Sequence, residues 1–298
     1  MSQKENKPVF DRVTIIGPGL IGASLALALK RGKLAGHIVG CARSEATLEK
    51  ALSLKIVDSA TSDPCKAVEN SDLVVLCTPV GTFAKIGQAI GPHIKEGAIL
   101  SDVGSVKQSV IEDVQPFLKK GVHFIPAHPV AGTEHSGPEA GFAELFDGRW
   151  CVLTPPGEAD KSATAKMKAL WEALGAHVSV MDAAEHDQIL AITSHLPHLI
   201  AYTIVDTATG LEKRLQSEVF KFAAGGFRDF TRIASSDPVM WRDIFLKNQK
   251  AVLEMLSHFS KDLAILETAI KDGDGETLEK IFRRTRAIRR GVIEAKQD

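Results

Sequence analysis

The sequence predicts an α/β domain, a parallel sheet covered by helices, followed by an all-helical domain. Short runs of Val, Ile and Leu without polar alternation recur through the first part of the chain, as strands buried on both faces require. Eleven of the 13 prolines and 18 of the 24 glycines precede residue 184, so turn residues concentrate where those runs are. Beyond that point apolar residues return every three to four positions over long stretches, the period of a helix with one buried stripe.

Taken in order, strands are predicted at Val13–Ile16, Ile38–Cys41, Leu73–Cys77, Ala98–Ser101, His123–Ile125 and Trp150–Leu153, with helical patterns and turns between them. That alternation argues for repeated βαβ units. The change of texture divides the chain into residues 1–183 and residues 184–298. In the second part Trp241, Phe245, Val252, Met255, Phe259, Leu263 and Leu266 mark one stripe of a long helix. Asp237-Pro238 supplies its start, an N-cap residue followed by proline at the first helical position. Asp272-Gly273-Asp274-Gly275 breaks it before another helix begins. Helices this long and apolar need partners, so a bundle or a dimer is expected.

Composition narrows the function. With 298 residues, 44% hydrophobic and 24% charged, the chain is neither disordered nor fibrous. Its 36 basic and 37 acidic residues leave no global field to hold nucleic acid or an anionic membrane. Five arginines (Arg283, Arg284, Arg286, Arg289, Arg290) crowd one stretch, but 17 basic and 17 acidic residues balance after residue 183. A solvated or subunit-facing helix accounts for them. No run reaches the ~18–20 apolar residues that cross a bilayer. The start, Met1 to Pro8, lacks the apolar core of a secretory signal, so a cytoplasmic protein is expected. Cys41, Cys65, Cys77 and Cys151 lie far apart without a CxxC pair, which points to neither a zinc site nor a disulfide framework.

The sharpest local signal is Gly17-Pro18-Gly19-Leu20-Ile21-Gly22, directly after the first strand and opening an apolar helix. In that context the first glycine permits the turn, the second lets backbone approach a pyrophosphate, and the third packs helix against strand. The helix N-terminus offers N–H groups to phosphate. The first domain is therefore expected to be a modified Rossmann dinucleotide-binding domain. Twenty residues past Gly22, where an acidic residue would hold the adenosine ribose, stands Ala42. Its neighbours Arg43 and Ser44 suit a 2′-phosphate and favour NADP+, with NAD+ left open because Arg43 can instead stack on adenine.

Further along, Thr78-Pro79-Val80 ends the Leu73–Cys77 strand at the carboxyl edge, where open α/β sheets place ligands; a simple chain reversal explains the proline equally. Asp102-Val103-Gly104-Ser105-Val106-Lys107 follows the next strand in the same way, and Ser105 can serve as an N-cap, orient a catalytic group, or both. His128-Pro129-Val130-Ala131-Gly132-Thr133-Glu134 lies at the same edge. A histidine there suits dehydrogenation of an alcohol, because it can accept the hydroxyl proton while the carbon loses hydride. His195 and His198 stand three apart, but no third ligand accompanies them at a recognisable spacing, and no metal is expected.

Together GPGLIG, DVGSVK, HPVAGTEHSGPEAGFAELF, the pair His186-Asp187, SHLPH (Ser194 to His198) and GGFRDFTRIA (Gly225 to Ala234) resemble the prephenate/arogenate, or cyclohexadienyl, dehydrogenase family. The resemblance runs from about residue 10 to past residue 260. It implies an oxidative decarboxylation on the route to tyrosine: a nicotinamide takes hydride from the ring carbon bearing the hydroxyl, the ring carboxylate leaves as carbon dioxide, and the ring aromatises. By resemblance His128 is the catalytic histidine and Ser105 the serine that assists it. Arg232 clamps a substrate carboxylate, Arg228 falls on a neighbouring basic position, and Thr133 and Glu134 lie beside the substrate. Ser194, His195 and His198 match the polar lining from the helical domain, and Asp187 an acidic residue near the mouth. A dicarboxylate substrate calls independently for a fixed guanidinium, which engages carboxylate bidentately.

The resemblance also implies a homodimer formed through the helical domain. The central motifs look most like broad-specificity members, so both prephenate and arogenate are expected as substrates. Because the chain stops soon after the helical domain, no fused regulatory domain or mutase is expected, and any feedback by tyrosine would act at the active site. Two other readings exist. A β-hydroxyacid dehydrogenase of the same plan would place its catalytic lysine on the long helix, at Lys250. A non-catalytic NAD(P) sensor would leave Ser105, His128 and Arg232 without a purpose.

Overall fold

The structure is a computed structural model that describes residues 8–157, 159–210, 221 and 223–294. The described residues form two compact units, divided between Gln249 and Lys250.

The first unit is built on β1 (Phe10–Ile16), β2 (Ala35–Cys41), β3 (Ser59–Thr61), β4 (Leu73–Leu76), β5 (Ile99–Asp102) and β6 (His123–Phe124). These form one sheet in the order β3-β2-β1-β4-β5-β6, with every neighbouring pair parallel. This is the doubly wound dinucleotide-binding order, in which the direction of winding reverses between β1 and β4 and opens a crevice at their carboxyl ends. The covering helices are α1 (Leu20–Arg31), α2 (Glu45–Ser53), α3 (Pro64–Val68), α4 (Phe83–Ile90) and α5 (Gln108–Val114). Val13, Ile15, Leu73 and Val75 are buried against α1 on one face, Ile16, Val74, Leu76 and Leu100 against Phe83, Ile90 and Val110 on the other. Burial on both faces is why these strands carry apolar runs rather than alternation.

Trp150–Leu153, expected to join the parallel sheet, does not. It is β8, the centre of a second sheet ordered β7-β8-β9, with β7 spanning Ala127–Pro129 and β9 spanning His177–Val180. β7 runs antiparallel to β8, with His128 opposite Val152, and β8 pairs with β9 in parallel. The helix α6 (Lys161–Ala173) connects β8 to β9 and buries Met167, Leu170 and Trp171. The reason β7 escaped notice is its length: three residues, with Pro126 before it and Pro129 as its last, look like a loop and can form only an edge strand.

Next come α7 (Ala183–Leu190), a π-helical turn over Ala191–His195, and α8 (Leu196–Thr209), continuous as one rod. Pro197, in the first turn of α8, lacks the N–H that would close an α-helical bond, and its ring crowds the carbonyl four residues back; the helix widens there. In an unbroken helix His186 and His195, nine residues apart at about 100° each, would point to opposite faces. With the π turn between them both are fully buried. Contrary to the sequence expectation, this rod is long and apolar enough to cross a membrane by length and composition; its polar residues His186, Asp187 and His195 are buried within the protein.

The unit closes with α9 (Gly225–Thr231) and α10 (Pro238–Lys247), the latter capped by Asp237, whose Oδ1 accepts from Met240 N at 2.8 Å. The single long helix expected from Asp237 to Asp272 is broken at Asn248. Beyond the break, α11 (Gln249–Asp272) and α12 (Gly275–Glu294) make up the second unit. Leu253, Leu263, Ile265 and Ile270 on α11 are exposed.

Candidate active site

Four turns meet at the carboxyl edge of the six-stranded sheet. In the turn after β1, the three glycines serve three needs. Gly17 has φ +94°, and a Cβ there would lie 2.7 Å from Thr78 Cγ2 and 2.9 Å from the Cys77 carbonyl. A Cβ at Gly22 would sit 2.4 Å from Gly17 O, which is how closely α1 lies on its strand. Around Gly19 a Cβ would meet nothing within 4 Å. Gly19 is the N-cap of α1, and no side chain caps that helix end. Open space thus lies before free N–H groups, the shape and polarity a pyrophosphate needs. Pro18 completes the turn, and Leu20 and Ile21 open α1. Thr78 Oγ1 bonds Thr82 Oγ1 at 2.8 Å, fixing the Thr78-Pro79-Val80 turn beside it, with Val80 buried below. Arg43 is exposed at the end of β2, and Ser44 Oγ caps α2 by accepting from Thr47 N at 3.4 Å.

The catalytic candidates lie past β5. His128, on β7, is 6% exposed, and its Nδ1 is 2.8 Å from His186 Nε2. His186 Nδ1 is 2.8 Å from Asp187 Oδ1. Asp187 also accepts from the backbone N–H groups of Lys107 (Oδ1, 2.7 Å) and Gln108 (Oδ2, 2.9 Å). The carboxylate can only accept, so His186 donates from Nδ1 and accepts at Nε2, and His128 donates from Nδ1. Assigned from the network in this way, the tautomer leaves a lone pair on His128 Nε2.

Burial, followed by His186, Lys107 and His195, holds His128 well below the usual histidine range, so its imidazole is neutral at pH 7. His195 is pushed down to about 4, chiefly by burial. Its Nδ1 accepts from Asn248 Nδ2 at 3.1 Å, and its ring approaches the Ser105 backbone. The same Asn248 amide donates to Asp187 O at 2.9 Å. Asn248 is the C-cap of α10, where the backbone leaves the helix at φ −109°, ψ 32°. His198 stacks on Trp241 with ring centroids 3.7 Å apart, and its Nδ1 donates to Ser194 O at 2.8 Å. At the surface Arg232 Nη1 lies 3.6 Å from Glu134 Oε2, both partly exposed, with Thr133 exposed next to Glu134.

Comparison with known proteins decides the family. Residues 25–180 match the family model for the nucleotide-binding domain of prephenate dehydrogenase, and residues 182–284 the model for its dimerization domain. The chain is 41% identical over 281 residues to a cyclohexadienyl dehydrogenase of Zymomonas mobilis, covering 94% of this chain and 96% of that one. It is 34% identical over 283 residues to a prephenate dehydrogenase of Bacillus subtilis, covering 95% and 76%. The chain belongs to the prephenate dehydrogenase family. Among solved structures, a prephenate dehydrogenase from Aquifex aeolicus, in complex with hydroxyphenyl propionate and NAD+, superposes with a TM-score of 0.88 at 35% identity, covering 95% of this chain and 98% of that one. The chain is an oxidoreductase that uses a nicotinamide dinucleotide.

Within this prephenate dehydrogenase fold several expected residues sit differently from expectation. Asp187 is not at the mouth: it is 1% exposed, at the foot of the histidine chain. Ser105 is not the N-cap of α5, which starts at Gln108; the Asp187 carboxylate caps that helix from the far side of the site. Arg228 is exposed, one turn before Arg232, and lies 3.8 Å from its neighbour Asp229. His195 and His198 both pack on Trp241, edge-on at 6.0 Å and stacked at 3.7 Å, and only His195 also bonds Asn248. Lys250, the catalyst of the hydroxyacid alternative, is exposed, and the family membership does not favour that reading.

His186, Lys107, Asp102 and Trp241, named above only within motifs or a helical stripe, and Asn248, not named at all, also belong to the site. A His-Asp dipeptide inside an apolar helix, and a lysine between Val106 and Val110, were signals that polar groups are buried there.

Proposed function

We propose that this chain is a cyclohexadienyl dehydrogenase that oxidises and decarboxylates prephenate and arogenate, giving 4-hydroxyphenylpyruvate and tyrosine. The observation that carries the reading is the buried Asp187–His186–His128 chain, which leaves a neutral His128 Nε2 as a proton acceptor. The Gly17–Gly22 turn, Thr78 and Val80 are the residues that would hold the dinucleotide, whose nicotinamide, when bound, would supply the hydride acceptor. His128 Nε2 takes the ring hydroxyl proton as the carbon is oxidised, and Ser105 orients that hydroxyl. His186 and Asp187 stabilise the charge on His128 while it holds the proton. Loss of carbon dioxide aromatises the ring, and the proton returns from His128 to the oxygen, so the histidine ends as it began.

Arg232 binds the side-chain carboxylate of the substrate at the mouth, and Glu134 next to it offers a counter-charge to the ammonium of arogenate. His195, His198, Ser194 and Thr133 line the path between, and Arg228 adds positive charge outside it. Arg43 favours NADP+ by pairing with the 2′-phosphate, and the Ser44 hydroxyl can donate to it while capping α2. Functionally the chain divides at residues 183 and 184 into a cofactor domain and a domain that closes the site, and the latter forms a homodimer, which the exposed apolar residues of α11 support. We place the enzyme in the cytoplasm, without a metal.

Prephenate and arogenate, each offered with NAD+ and with NADP+ while nicotinamide reduction is followed, test the activity. Replacing Arg43 with alanine should raise KM for NADP+ more than for NAD+, and an equal change in both would refute the cofactor assignment.

A further inference from the structure

Beneath His128 lies an ion pair that the proton chemistry above does not use. Asp102 is the last residue of β5, and Lys107 ends the turn that carries Ser105; both side chains are fully buried. Asp102 Oδ2 accepts from Lys107 Nζ and from Gly104 N at 2.7 Å, and Oδ1 accepts from Ala127 N at 3.2 Å. Lys107 Nζ donates in turn to Ala127 O at 2.8 Å. The residue before His128 is thus held at its N–H by one ion and at its C=O by the other. Through its own N–H, Lys107 also holds Asp187. Ser105, His128 and Asp187 stand on three separate elements, and this pair is bonded to all three. β7 itself is a three-residue edge strand ending in proline, with few ladder bonds to fix it.

A buried ion pair is poor value for folding, because an apolar pair of like volume is about as stable. We propose that Asp102 and Lys107 are positioning residues for the catalytic site, clamping His128 against Ser105 and Asp187; this rests on the reading of His128 as the base. The groups facing His128 are His186 and Asp187 from α7, His195 from the π turn, Asp102 and Lys107 from the β5 edge, and the Cys151 thiol from β8, which meets the His128 backbone. Among these, Lys107 is the cation and opposes protonation of His128.

The test is the pH profile of kcat/KM with prephenate for Lys107→Met, Asp102→Asn and the double variant Asp102→Leu/Lys107→Met, with the wild type alongside. Lys107→Met removes a cation and leaves an anion, so the acid limb should move up by about one pH unit; Asp102→Asn should move it down. In all three variants kcat should fall by about 10- to 100-fold through lost alignment, with the affinity for the dinucleotide unchanged. A single variant that fails to fold leaves the decision to the double variant, in which no buried charge is orphaned. Limbs that do not move, or that move together, with kcat near wild type, overturn the proposal. So does a double variant that cannot fold, which would assign the pair to the fold. If the wild type itself turns over no substrate, the activity fails and the proposal with it; active wild type with unaffected variants refutes the proposal alone.

Discussion

Changing Asp187 to asparagine replaces one carboxylate oxygen with an NH2 group at the foot of the histidine chain. Three N–H donors converge on those two oxygens: Lys107 N at 2.7 Å, Gln108 N at 2.9 Å and His186 Nδ1 at 2.8 Å. If the amide oxygen takes the Oδ1 place, the NH2 faces Gln108 N–H, donor against donor. A buried donor left without a partner costs about 1–3 kcal/mol, a few degrees of Tm in a chain of this size. With the amide reversed, the NH2 faces Lys107 N–H, again donor against donor, and His186, which must then accept at Nδ1 and donate from Nε2. His128 is then driven to carry its proton on Nε2 and can no longer accept one from substrate. A lost general base costs about 10²–10⁴ in rate, and a carboxylate-to-amide change that fixes the wrong tautomer in a serine protease triad costs about 10⁴. The assay is the initial rate of nicotinamide reduction with saturating prephenate, with cofactor affinity from tryptophan fluorescence as a control on folding. The expected result is kcat lowered by at least about 100-fold with the cofactor bound as in wild type. A folded variant within about threefold of wild-type kcat would show that the Asp187–His186–His128 chain does not set the tautomer.

Three other outcomes follow from the same geometry. Gly19→Val adds a side chain where nothing lies within 4 Å, so Tm should hold while dinucleotide affinity, measured by titration, falls at least about tenfold; Gly22→Ala, 2.4 Å from Gly17 O, should instead lower Tm. Arg232→Ala should raise KM for prephenate by about 10- to 100-fold with a smaller effect on kcat, since a charge-assisted contact of about 1.5–3 kcal/mol is lost from ground and transition states alike; an unchanged KM would remove Arg232 from the substrate site. Acid should destabilise the fold: His195 has a value near 4 when folded against 6.5 in the open chain, so between these pH values the unfolded state binds more protons. Stability is then fully present above pH 6.5 and falls as pH drops towards 4, by about 1.4 kcal/mol per unit from this residue. Denaturant titrations at pH 7 and pH 5 should show the loss, and His195→Asn should shrink it.

The parallel sheet was legible in the sequence because burial on both faces writes an apolar run into each strand, as at Leu73–Leu76. The glycine turn was legible because three steric demands fall at fixed spacing. The strand carrying His128 was not, since three residues closed by Pro129 carry no periodicity. Nor was the break at Asn248, where the apolar stripe continues across the helix end while the polar side chain bonds residues 53 and 61 positions away. Arg232 and Glu134 lie about a hundred residues apart in sequence, so their pairing is set by tertiary structure alone. Asp187, placed near the mouth by resemblance, is buried instead, because the N–H groups that allow its burial come from a distant turn. Polar groups satisfied by long-range partners are invisible to local pattern.

If His128 is the base in the oxidative decarboxylation of a cyclohexadienyl substrate, its removal must stop hydride transfer. The measurement that tests it most directly is nicotinamide reduction by the wild type and by His128→Asn, with prephenate and arogenate each crossed against NAD+ and NADP+. The account predicts reduction by the wild type, matched mole for mole by carbon dioxide released, and its near-abolition in His128→Asn with the cofactor still bound. Silence of the wild type in all four combinations, from protein shown to bind a nicotinamide cofactor, would contradict it, as would full activity without His128.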